Sequence, residues 1–135
     1  MNCFTASRRQ NFLRVALRAN GFGEWLTYLP AGGGPHVRLM ATVQPPSEME
    51  AEDKEELAKY ELIDVLLSSA PDSLVDGVSL GGIERPTSGD RIQRDGDPAG
   101  DTYSYDFLIR SSEYSHRLRF RRRRTVQIGT SQSKR

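Results

Sequence analysis

The chain has 135 residues, 27% of them charged and 36% hydrophobic, and a formal net charge of +1. That length holds one domain with a core of its own, and the composition excludes an intrinsically disordered chain. No apolar run reaches membrane-crossing length and no signal-peptide pattern opens the chain, so a soluble intracellular protein is expected.

The elements follow from periodicity. Ser7-Arg8-Arg9-Gln10 has the spacing of a capping box, and Phe12, Leu13, Ala16 and Leu17 form one helical stripe before the Asn20-Gly21 stop. A helix over about 8–19 is expected, lying on something by that stripe. Trp25, Thr27 and Leu29 then alternate with Glu24, Leu26 and Tyr28. After the turn Pro30–Pro35, Val37, Leu39, Ala41 and Val43 repeat at period two, which makes a β-hairpin with a long loop. Pro45-Pro46 ends the second strand.

The segment 47–59 is acidic and low in hydrophobics. Ser47 and Glu50 repeat the capping-box spacing, so a short surface helix and an exposed loop remain equally open. Tyr60–Leu67 reads as a buried strand. Turn signals crowd 70–89, with one short strand suggested by Val78, Leu80 and Ile83, and Gly89-Asp90 leads into a strand over Arg91–Arg94. A polar loop, Asp95–Asp101, precedes Thr102–Arg110, in which Tyr103, Tyr105, Phe107 and Ile109 share one face. The final strand, His116–Ile128, places Leu118, Phe120, Val126 and Ile128 on one side and Arg117, Arg119, Arg121 and Arg123 on the other. The expected fold is mainly β: a small antiparallel barrel or sandwich of about six strands with an N-terminal helix. It forms a single domain over 1–129, followed by a polar tail, 130–135.

No catalytic, cofactor or metal site is legible. Cys3 is the single cysteine, so neither an intrachain disulfide nor a cysteine metal cluster can form. Asp95, Asp97, Gly100 and Asp106 echo a calcium loop, but Ala99 stands where an oxygen ligand is needed, so a polar hairpin turn is the better reading. His36 and His116 fit no ligand spacing and read as surface histidines. Gly32-Gly33-Gly34 precedes no helix, hence no phosphate cradle. No nucleophile elbow or paired carboxylate appears, so a non-enzymatic protein with no cofactor is expected.

Charge is the strongest signal, because the small net value conceals a segregation. Between Glu48 and Glu61 seven acids face Lys54 and Lys59, a net of −5; between Arg110 and Arg135 nine bases face Glu113, a net of +8. The candidate contact residues are therefore Arg117, Arg119, Arg121, Arg122, Arg123 and Arg124 on the basic side. Their acidic counterparts are Glu48, Glu50, Glu52, Asp53, Glu55 and Glu56. Contact with a partner or second subunit ranks first, a solvated outer face second, and sequence-independent nucleic-acid contact third. Arg122 and Arg124 fall on the otherwise apolar even face, which suggests that the strand leaves the core there or reaches an interface.

With these elements in order, the chain resembles the small phage and prophage head–tail connector proteins of the head-closure, or stopper, group. The likeness runs over about 6–129. It rests on Trp25-Leu-Thr-Tyr28, the strand ending Ala41-Thr-Val43, Gly89-Asp90-Arg91-Ile92, Thr102-Tyr-Ser-Tyr-Asp106 and Arg124-Thr-Val-Gln-Ile-Gly129. The acidic segment is longer than in such chains, and the run Arg121–Arg124 is unusual for them. The resemblance implies a structural virion protein of the neck, assembled in the host cytoplasm. It would form a ring, commonly sixfold, that contacts portal or adaptor and tail proteins, with packaged DNA in its lumen and no membrane. A tail-terminator ring and a nucleic-acid-binding barrel are the alternatives.

Overall fold

The period-two segments close on themselves. The computed structural model describes residues 3–19, 23–46 and 58–124. A helix, α1 (Cys3–Leu13), runs into a π-helical turn (Arg14–Ala19). The strands are β1 (Gly23–Leu29), β2 (Val37–Gln44), β3 (Tyr60–Ser68), β4 (Leu74–Val75), β5 (Val78–Ser79), β6 (Arg91–Arg94), β7 (Tyr103–Ser111) and β8 (Ser115–Arg123). Six of these form an antiparallel closed barrel in the order β1-β2-β3-β8-β7-β6, and β4 and β5 form a separate two-stranded hairpin.

The interior is filled by one side of each strand: Leu26, Tyr28, Leu39, Ala41, Ile63, Val65, Leu67, Ile92, Tyr103, Leu118 and Phe120. Closure of so few strands leaves room for side chains only, with no lumen. Edge-to-face contacts join Phe120 to Tyr28 and Tyr105, at centroid separations of 6.3 and 6.0 Å.

A second cluster lies outside the barrel. Leu13 and Leu17, with Phe12 and Ala16 beside them, pack with Trp25, Met40 and Leu66 of the barrel wall, Val75 and Val78 of the small hairpin, and Leu80 just after it. The helical stripe read from the sequence is therefore the face that docks. The π-turn leaves the Ala16 carbonyl to accept a hydrogen bond from Thr42 Oγ1 at 2.8 Å. Gly23 is required at the crossing, because a Cβ there would sit 1.8 Å from the Leu17 carbonyl oxygen.

Several expectations need correction. The helix begins by Cys3, so Ser7 lies inside it and is not its cap. The segment 70–90 holds a two-strand hairpin turning at Asp76-Gly77, both at positive φ (54° and 78°), and neither Leu80 nor Ile83 belongs to a strand. Instead the Leu80 carbonyl accepts the Met40 amide, and Gly81 threads beside β2. At φ +70°, a Gly81 Cβ would lie 2.5 Å from the Arg38 carbonyl oxygen. In β7, register shifts at Tyr105/Phe107 and Leu108/Arg110 break the alternation. Phe107 therefore stands opposite Arg119 and is 46% exposed, not in the core with Tyr103. His116 is buried, not on the surface: its Nε2 donates to the Glu84 carbonyl, leaving Nδ1 to accept from the Ser111 hydroxyl. The expected continuation of β8 through Val126 and Ile128, and the tail 130–135, lie outside the described residues.

Candidate functional site

The charged residues fall into three settings, decided by strand phase and by position along the barrel. The first is one mouth, where β1 and β3 begin and β6 and β8 end. Interior-facing positions at a mouth meet water instead of core, so polar residues can occupy an otherwise apolar face. Glu24, Glu61, Arg94 and Arg122 do so here. Arg122, on the even face with Leu118 and Phe120, donates to Glu61 Oε1 at 2.8 Å and to the Tyr103 phenol oxygen at 2.8 Å. It also pairs with Asp97 at 3.0 Å and Asp101 at 3.2 Å, and its guanidinium lies 4.1 Å from the Tyr103 ring centroid. Tyr103 donates to Glu61 Oε2, and Arg94 holds Glu24 through two bonds of 2.9 Å.

Arg122, in phase with the core side of its strand, is thus a plug. It closes the barrel and binds the Asp95–Asp101 loop over the mouth. Hydrogen bonds from Arg122, and secondarily from Tyr103, hold the Glu61 carboxyl below its usual range. Burial first, and then the bond to Glu61, push the Tyr103 phenol up to about 12. Two of the aspartates that echo a calcium loop are spent on arginines, Asp97 on Arg122 and Asp95 on Arg38 at 2.6 and 2.9 Å, and the neighbouring Asp101 also pairs with Arg122. Among the described residues no group of three or more His, Cys, Asp or Glu side chains is placed to hold a metal.

The second setting is the outer face of β8. Arg117, Arg119, Arg121 and Arg123 share it, opposite Leu66, Asp64, Leu62 and Tyr60 of β3. The expected outward phase is found, but the row is not solvated along its length, as the second-ranked reading would have it. Arg119 is only 7% exposed, and its two bonds to Asp64 at 2.7 and 3.2 Å form a forked buried pair, with the Phe107 ring 5.3 Å away. Arg121 and Arg123 lie over the Tyr60 ring at 4.5 and 5.9 Å. Arg117 reaches Gln44 Oε1 at 3.2 Å. Arg123 and Arg124 are exposed, and the Arg124 amide bonds the Lys59 carbonyl. The acidic candidates Glu48, Glu50, Glu52, Asp53, Glu55 and Glu56 lie outside the described residues.

The third setting, at the opposite end, is not among the sequence-derived candidates. Asp90 is 3% exposed and accepts the Tyr28 hydroxyl, the Thr87 amide at 2.8 Å and the Ala31 amide at 2.7 Å. One carboxylate therefore ties the Pro30–Pro35 turn and the 84–89 loop to the barrel core. Burial, followed by the bond to Asp90, raises the Tyr28 phenol well above its ordinary value. The sequence signal was present in Gly89-Asp90: a turn followed at once by an acid and a strand. Its partners, about sixty residues upstream, were not.

No protein-family model, curated protein or solved structure matches this chain. Among the described residues no helix is long and apolar enough to cross a membrane.

Proposed function

We propose that this chain is a structural subunit of a phage neck. It would form a ring of the head-closure type that sits between portal or adaptor and tail and retains packaged DNA. The observation that carries the reading is how the basic strand spends its charge. Its central arginines, Arg119 and Arg122, are internal ties of the barrel, which weakens the case for a strand built to grip nucleic-acid phosphates. The remaining cations and the acidic sequence 48–56 supply charges of opposite sign, which a head-to-tail ring can use.

The fold suits this role in a second way. A closed barrel has few free edges to drive uncontrolled pairing, so its loops and end surfaces determine what it contacts. The loops Pro30–Pro35 and 84–89, tied down by Asp90, and Asp95–Asp101, tied down by Arg122, are held firmly enough to dock against other rings.

The test is assembly against DNA binding for the purified full chain. Rings visible by negative-stain electron microscopy, with no DNA retention at low salt, support the neck reading. A tight monomer–DNA complex whose affinity falls steeply with salt supports the nucleic-acid alternative and overturns this one.

A further inference from the structure

Where the docked helix meets the β7–β8 end of the barrel, the surface opens into a groove of about 540 Å³. Phe12, Ala16, Leu66 and Ile109 supply its apolar lining, and Arg110 and Arg117 supply its cations. The Phe12 and Tyr114 rings, 5.7 Å apart, join the helix to the β7–β8 turn beside it.

The arginine pair is the anomaly. Arg110 and Arg117 are directly opposite in the β7–β8 ladder, an arrangement that places like charges side by side and is destabilising. Four other arginines of the barrel are matched to carboxylates: Arg38 to Asp95, Arg94 to Glu24, Arg119 to Asp64, Arg122 to three carboxylates. Among the described residues Arg117 reaches only the neutral Gln44, and Arg110 is exposed with no carboxylate partner. Two adjacent cations beside an apolar lining suit an anionic segment that also carries an apolar side chain.

We infer that this groove receives the acidic segment around Glu48-Met49-Glu50 of a second copy of the chain. The segment has the matching chemistry, one sizeable apolar side chain between two carboxylates. The described chain stops at Pro46 after β2, two residues beyond the Gln44 that Arg117 contacts, and resumes at 58 just ahead of β3. The groove lies beside the turn that joins β7 to β8. In the ring reading a segment of one copy in the groove of the next is a heterologous contact, which repeats from copy to copy and closes only if the rotation allows. The inference rests on the ring reading and specifies which surfaces make the ring.

Two full-length variants test it: R110E/R117E, with a broken groove, and E48K/E50K, with a broken segment. R110E alone, at an exposed position, guards against a folding defect in the double variant, and circular dichroism melts check each. Sedimentation velocity across a concentration series reads assembly. The expected result is that wild type associates, R110E weakens association about tenfold or more, and each double variant is monomeric. An equimolar mixture of the two double variants then associates again, since the acidic segment of one meets the arginine groove of the other and the lysine segment meets the glutamate groove. If the mixture stays monomeric, the segment does not enter the groove of another copy and the inference fails. Undiminished association of R110E/R117E also overturns the groove, while leaving the ring reading in place. A wild type that remains monomeric throughout removes the ring reading itself.

Discussion

Replacing Asp90 by Asn keeps the side-chain shape and removes one property, the ability of both oxygens to accept. In the native carboxylate Oδ2 takes the Tyr28 hydroxyl and the Thr87 amide, and Oδ1 takes the Ala31 amide. An amide has a single oxygen. Turned toward Tyr28 and Thr87, its NH₂ faces the Ala31 N–H; turned the other way, it faces the Thr87 N–H and forces the phenol to rotate. Either choice sets donor against donor at a site only 3% exposed. The remaining bonds also lose their charge assistance, and a hydrogen bond to a charged group is worth about 1.5–3 kcal/mol. The expected cost is about 3 kcal/mol. With a urea m-value of about 2 kcal/mol/M, the unfolding midpoint falls by about 1.5 M at unchanged slope. Tyr28→Phe removes one donor and leaves the carboxylate its two amides, so its cost is about 1 kcal/mol. In the double variant Tyr28 no longer competes for the amide oxygen, and the two losses sum to less than their separate values by about 1 kcal/mol. A D90N protein within about 0.5 kcal/mol of wild type, or strict additivity with Y28F, refutes the hub.

The run Arg121–Arg124 gives a contrast: Arg122→Gln strips three carboxylates and a phenol of their cation and costs about 1–3 kcal/mol in chemical denaturation. The exposed Arg123→Gln stays within about 0.5 kcal/mol. Gly81→Ala costs about 3 kcal/mol or more, since it combines φ +70° with a backbone clash, and a thermal melt reads the loss. For Tyr28 and Tyr103 the folded pKa is raised, so their contribution is intact below an ordinary phenol pKa of about 10 and is lost as pH rises through the folded values. Absorbance titration at pH 11 should therefore leave Tyr28 and Tyr103 un-ionised, and ionisation of both at that pH in the folded protein would contradict this. For Glu61 the sign reverses: its depressed folded pKa gives stability that is present above the usual carboxylate range near about 4.3 and lost as pH falls through the lowered value. Glu61→Gln should flatten the acid limb of the stability profile, and an unchanged acid slope would count against the Arg122–Glu61 tie.

Alternation determined much of this protein by itself. The Tyr60–Ser68, Arg91–Arg94 and β1–β2 segments are legible because a strand that buries one face must repeat at period two. The helical stripe Phe12, Leu13, Ala16 and Leu17 is legible for the same reason at period 3.6. Where each alternating face ends in space was not legible. Arg122 continues the apolar face of Leu118 and Phe120 but lies where the barrel interior runs out, so a charge is stable there once Glu61, Asp97 and Asp101 converge on it. Arg119 has the phase of a surface residue and is buried because Asp64 happens to be its cross-strand neighbour. Phe107 has the phase of a core residue and is outside because β7 bulges. Gly89-Asp90 marks a turn in the sequence, but the role of Asp90 is set only where Tyr28 and Ala31, distant in sequence, meet it. Sequence period sets which side a residue faces relative to its neighbours. Closure of the sheet, bulges and ladder register decide what stands on that side, and those depend on pairings between strands far apart in the chain.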